Sequence, residues 1–196
     1  MISSLDVALK IRQRLNKVDT QDDENLPLYV IVEAYNKGQL NIVNRLSSKN
    51  NIYKTGLEST TFRVDDLECL INPDAYILST TKKDGFYLTD YIPKDYLRYI
   101  RTTCIAKTSS CKGKELYIYL QEESNLNTLL NNDFVSPSFE WAETIGTIAG
   151  DKIKVFTQNK FEINKVYLTY LRKPRLIDLA GYIKKDGSPS TNIDPE

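Results

Sequence analysis

Asp65, Asp66 and Glu68 form the densest carboxylate cluster of the sequence, and hard oxygen donors so close together are a donor set for a divalent cation. On a helix, however, adjacent carboxylates diverge, and the same three residues then read as a polar face or as acidic groups near a helix N-terminus. Glu140 and Glu143 flank Trp141, but in a strand positions three apart face opposite ways, which separates them as a general acid and base. Cys69, Cys104 and Cys111 are an odd set whose spacing suits neither a disulfide framework nor a paired zinc site, so free and mostly buried thiols are expected. The sequence contains no histidine, and a serine or cysteine nucleophile therefore lacks its usual base. The glycines from Gly146 to Gly150 come without the lysine and helix that a phosphate loop requires. The expectation is a protein without catalytic residues, metal or cofactor.

Arg172, Lys173 and Arg175 surround Pro174, and tyrosines 87, 91, 96, 99, 117, 119, 167 and 170 have rings able to stack on bases. A nucleic-acid-binding module using Tyr and Arg/Lys is therefore one reading. Against it, 26 basic residues are cancelled by 26 acidic ones, which removes most of the phosphate-driven affinity. Thirteen tyrosines in a strand-rich chain are also what cross-strand and subunit packing use.

With 196 residues, 41% hydrophobic and 27% charged, the chain has the composition of a globular protein. Its N-terminus lacks the basic and apolar regions of a signal peptide, and no apolar run reaches the roughly 18 residues of a membrane span. Synthesis in the cytoplasm and no membrane partner are expected.

The elements that must position these groups change character near residue 72. Ser4 is a candidate N-cap for a helix over residues 5–17, with Leu5, Ala8, Leu9, Arg12 and Leu15 on one stripe. After a polar linker at 19–25, Pro27 fits the start of a second helix running to about Ser47. Gly38 inside that helix costs about 1 kcal/mol against alanine, which points to close packing by another backbone or to a bend. A short helical piece is expected over 63–70. Beyond Asn72 the period becomes two, with strands at 76–80, 86–91, 97–106, 116–120, 139–148, 152–156 and 161–171 and a short helix at 124–131. Asp84-Gly85 marks a hairpin turn. Leu116, Ile118 and Leu120 alternate with Tyr117 and Tyr119, giving one strand an aliphatic and an aromatic face. The fold class is α+β: a helical part (1–72), an antiparallel β-sandwich-like or strongly twisted sheet part with a helical insertion (73–177), and an extended C-terminal arm (178–196) too polar to order itself.

Four stretches carry a resemblance: Leu28-Tyr-Val-Ile-Val-Glu-Ala-Tyr-Asn-Lys-Gly-Gln-Leu-Asn-Ile-Val-Asn-Arg-Leu46, Phe62-Arg-Val-Asp-Asp-Leu67, Ile92-Pro-Lys-Asp-Tyr-Leu97 and Val166-Tyr-Leu-Thr-Tyr-Leu-Arg-Lys-Pro174. In this order they resemble the head-to-tail connector proteins of crAss-like and related podophage-type bacteriophages, the neck ring, adaptor or tail tubular proteins. Relatives often continue past the segment matching Asn192-Ile-Asp-Pro-Glu196 into a closing helix, a departure from the pattern here. The resemblance implies a non-enzymatic virion protein of the neck or tail, assembled in the host cytoplasm as a ring of about twelve copies. Its partners would be the portal protein, neighbouring neck or tail rings, and genomic DNA passing through the lumen without sequence-specific binding. The residues expected at subunit or portal contacts are Tyr117 and Tyr119 on the aromatic face, Arg172, Lys173 and Arg175 where the last strand hands over to the arm, and Tyr182, Ile183 and Ile193 within the arm.

Overall fold

The computed structural model describes residues 9–11, 13, 27–47, 65–77, 79–111, 113–178 and 183–189. The chain divides into two compact units, Leu67–Lys173 and the combination of Met1–Asp66 with Pro174–Glu196. The fold is mixed, with few helices and one curled eight-stranded sheet.

In the first unit, residues 9–11 and 13 of the expected N-terminal helix are helical; the rest of that helix and the 19–25 linker lie outside the described residues. Helix α1 (Leu28–Leu46) begins after Pro27, whose extended backbone (φ −62°, ψ 140°) occupies the cap position, where its missing N–H leaves no gap in the ladder. Ile31 and Val32 are buried one turn in, with Ile11 and Leu28 packed against them. Asn36 on α1 holds the segment that follows the sheet: its Nδ2 donates to Ile177 O (2.9 Å), and Ile177 N donates back to its Oδ1 (2.8 Å). The side-chain amide thus satisfies both backbone groups of one residue, as a neighbouring strand would.

Close packing does not account for Gly38, because no described residue lies within 4 Å of where its Cβ would be. Gly38→Ala is therefore expected to raise the stability of the first unit by about 1 kcal/mol, read as a higher melting temperature by circular dichroism. A lower one would mean that the glycine serves a close contact.

The second unit is the sheet, in the order β1-β8-β4-β5-β6-β7-β3-β2. Its strands are β1 (Ile71–Tyr76), β2 (Ser79–Lys83), β3 (Phe86–Thr89), β4 (Tyr96–Lys107), β5 (Lys114–Leu120), β6 (Glu143–Ala149), β7 (Lys152–Phe156) and β8 (Glu162–Arg172). The expected strand at 76–80 is in fact the end of β1 and the start of β2. Pro73 has no N–H to pair and Asp74 takes a positive φ of 47°, so β1 bulges and serves as an edge strand. The Asp84-Gly85 turn joins β2 to β3 with Gly85 at φ 79°, as its sequence predicts.

One pairing departs from an antiparallel sheet: β5 and β6 run parallel, with Tyr117 opposite Glu143 and Leu120 opposite Gly146. A parallel neighbour requires a crossover, and residues 121–142 supply it. The helix expected at 124–131 sits there as a 3-10 turn (Glu123–Asn125) followed by α2 (Leu126–Leu130). The expected strand at 139–148 starts only at Glu143, because residues 139–142 form a turn in which Ala142 is left-handed (φ 59°).

The concave face of the sheet is the core. Leu116 and Ile118 of β5, Ile153 and Val155 of β7, and Val166, Leu168 and Tyr170 of β8 are buried there with Cys104. Each fully buried aliphatic side chain contributes about 1.5–3 kcal/mol. Gly146 lies against this core: a Cβ would sit 2.8 Å from Ile118 Cγ2 and 3.1 Å from the Lys154 carbonyl oxygen. Close strand approach explains this glycine, and Gly150 supplies the positive φ (63°) of the turn into β7. Of the three thiols, Cys104 is buried and its pKa is pushed up to about 12 by loss of solvation, with Glu115 adding to the shift. Cys69 is exposed and Cys111 half-buried, so the expectation of mostly buried cysteines holds for one of the three; all three are free. Cys69 follows the apolar Leu67 in a 3-10 helix (Asp65–Leu70), whose tight turn gives it a different face.

Candidate functional site

The convex face of the sheet carries a row of side chains set by register alone. Tyr76 of β1 is opposite Tyr167 of β8, Tyr167 is opposite Thr103 of β4, Thr103 is opposite Tyr117 of β5, and Tyr117 is opposite Glu143 of β6. Direct cross-strand partners share a face, so these residues form one line across five strands. The Tyr76 and Tyr167 rings lie 5.8 Å apart in a tilted pair. Tyr76 is 51% exposed and Tyr117 53%. Tyr119, two residues along β5, is 50% exposed and donates its hydroxyl to Glu143 Oε1 at 3.3 Å. The Glu143 carboxylate raises the Tyr119 pKa, so this phenol remains a donor at neutral pH.

Charges of both signs border the row. On one side Arg101 Nη2 meets Asp74 Oδ1 at 3.1 Å, and the Thr169 hydroxyl, itself buried, donates to the same carboxylate oxygen at 3.2 Å. On the other side Lys165 and Glu115, both exposed, stand either side of Ile105 in register. Half-exposed ion pairs of this kind add little to stability, about 0–1 kcal/mol. They fix the shape and polarity of the border instead. An aromatic centre inside a polar rim is the anatomy of a protein–protein contact, and the mixed signs make a poor track for a phosphate backbone.

The sequence-expected residues are dispersed. Tyr117 and Tyr119 project from the convex face as their alternation predicts. Arg172 is half-buried and its Nη2 donates to the Cys69 carbonyl (2.9 Å). Lys173 is exposed and its backbone N–H donates to Asp95 O at 2.7 Å. Arg175 is exposed and belongs to the first unit. Ile183 is exposed and opens a small hairpin, bridged to Pro189 and turned by Lys184-Lys185-Asp186-Gly187, where Gly187 has φ 82° and the Ser188 hydroxyl bonds Asp186. Tyr182 and Ile193 lie outside the described residues. Among the tyrosines offered for base stacking, Tyr87 and Tyr170 are buried in the core and present no free ring face.

Two residues of this surface went unread in the sequence. The β5–β6 crossover exposes Phe134 at 99% and Trp141 at 80%. Its path is nevertheless fastened: Lys114 Nζ donates to the Phe139 and Glu140 carbonyls (3.0 and 2.8 Å), and Lys160 Nζ donates to Ser136 Oγ and Pro137 O (3.3 and 3.2 Å). A phenylalanine amid Asn132, Asp133, Ser136 and Pro137 was the available signal: a large apolar side chain where the turn formers leave no strand or helix to bury it.

No family model matches the sequence, and no curated protein matches it either.

Proposed function

We propose that this protein is a structural, non-enzymatic component that works by assembling in many copies, as a ring in the neck or tail of a bacteriophage below the portal. The observation that carries this reading is the in-register tyrosine row of the convex face, with Tyr76 and Tyr117 half-exposed and charges of both signs at its border. Tyrosine offers large contact area at low conformational cost, which suits it to subunit contacts. In this reading the N-terminal segment forms a helical part, the sandwich-like β parts of successive copies pack side by side, and the arm from residue 178 onward docks on the next subunit or the portal. DNA passes through the lumen without base-specific contacts. The portal and the adjoining neck or tail rings complete the list of partners.

Both edges of the sheet bear on how copies meet. β1 carries Pro73 and a bulge, while β2 is short and carries Lys82 and Lys83. Such edges resist strand addition, so assembly proceeds through side-chain surfaces.

Native mass measurement of the chain alone and with a portal tests the reading. A species of many copies is expected in at least one of the two. A single copy in both would reject it, and tight binding to single-stranded DNA that falls steeply with salt would favour the nucleic-acid alternative.

A further inference from the structure

Strand β6 has a different apolar surface at each end. At its start, beside Glu143, the 133–141 loop forms a knob carrying Phe134 and Trp141 around a cleft of about 710 Å³. At its far end, beside Ile148 and Gly150, a second cleft of about 450 Å³ is lined by Tyr91, Ile92, Pro93, Lys94, Asp151 and Lys173, among others. Seven residues of strand separate them, roughly 20 Å at 3.3 Å per residue. The second cleft also exposes apolar surface, with Tyr91 at 69%.

The two surfaces are complementary in charge. Asp133, Glu140 and Glu143 line the knob against two cations, Lys160 in its lining and Lys114 beside it, both already engaged by the loop's own oxygens. Lys94 and Lys173 line the far cleft against Asp151, and Lys152 adds a third cation by placing its Nζ 4.4 Å from the centre of the Tyr91 ring. The cleft is open to solvent, and its volume of about 450 Å³ is larger than the ~150 Å³ of an enclosed cavity that takes a benzene ring, so size does not bar an aromatic side chain.

Each surface is held in shape before any partner arrives. In the knob, Ser138 and Glu143 exchange backbone bonds (2.9 and 3.1 Å), and the Trp141 N–H donates to Ser138 Oγ at 3.3 Å. Ala142 holds the left-handed turn that throws Trp141 outward, while its carbonyl accepts from Tyr117 N at 2.9 Å. At the cleft, the Ile92 N–H donates to Asp151 O at 2.7 Å. The backbone of both surfaces is thus ordered in advance, and the cost that remains is the fixing of the exposed Phe134 and Trp141 side chains.

We propose that the Phe134 and Trp141 knob of one copy seats in the Tyr91 and Ile148 cleft of a second copy, joining copies head to tail along the direction of β6. A contact between two different patches of the same chain repeats from copy to copy, and it closes into a ring when the rotation per copy allows. The inference rests on the ring reading and supplies its subunit contact.

The single tryptophan makes the contact directly observable. In sedimentation and fluorescence measured up to about 1 mM chain, the association of wild type is expected to shift Trp141 emission to the blue and protect it from acrylamide. Trp141→Ala, exposed and thus tolerated by the fold, is expected to weaken association at least thirtyfold, about the size of a central aromatic anchor. Reversing charge on the knob (Asp133→Lys with Glu140→Lys) or in the cleft (Lys94→Glu with Lys173→Glu) is expected to lower association, and combining all four in one chain to restore it. A multi-copy species in which Trp141 stays fully quenchable, or a four-fold variant that is not rescued, overturns this contact and leaves the ring reading standing. The absence of any multi-copy species, alone or with a portal, overturns both.

Discussion

Replacing Tyr76, Tyr117 and Tyr167 together by serine is expected to weaken assembly by at least a hundredfold, leaving a folded chain. The three rings lie in register on the convex face, Tyr76 and Tyr117 exposed and Tyr167 partly buried beside Tyr76, and truncating a central aromatic in a contact costs about 2 kcal/mol or more, so engagement of two of the rings exceeds the ~2.8 kcal/mol that a hundredfold represents. The fold should survive, because the tilted Tyr76–Tyr167 pair contributes only about 0.5–1.5 kcal/mol and the side chains point away from the core. Mass measurement reports the assembly and a thermal melt reports the fold. Unchanged assembly in a folded triple variant would remove the surface on which the proposed function stands.

Tyr170→Ala has the largest expected effect on stability, a loss of about 3–5 kcal/mol from the unfolding free energy of the sheet unit. The ring is 1% exposed and packs 5.8 Å from Tyr96, so truncation opens a cavity that flanking strands cannot fill. Its hydroxyl donates to Asp95 Oδ1 at 2.8 Å and accepts from Asn72 Nδ2 at 3.0 Å, and desolvation raises its pKa, which keeps it protonated. Tyr170→Phe isolates that polar contribution. Asp95 is exposed and water can replace the lost bond, so about 0.5–1.5 kcal/mol is expected. Denaturant titration of the two variants separates ring from hydroxyl: equal losses would mean that the cavity closes.

Local chemistry made much of the sheet legible. Asp84-Gly85 announces its hairpin, and Leu116 and Ile118 against Tyr117 and Tyr119 announce which side of β5 faces the core, because both signals are carried by neighbours in sequence. The parallel β5–β6 pairing is not local: it depends on where the 121–142 crossover delivers Glu143, and nothing in Thr144-Ile145-Gly146-Thr147 distinguishes a parallel from an antiparallel neighbour. The same crossover hid Phe134 and Trp141, since a loop's apolar residue declares itself only when the fold fails to cover it. The surroundings of Arg172 were illegible for a different reason. In sequence it is one of three cations around Pro174, and only the fold brings the Cys69 carbonyl to it.

Pro73, the Asp74 bulge and the lysines of β2 leave the eight-stranded sheet with no edge onto which another chain can zip. Copies therefore cannot extend one another's sheet strand by strand, and any association between them has to be made by side chains on the faces and loops.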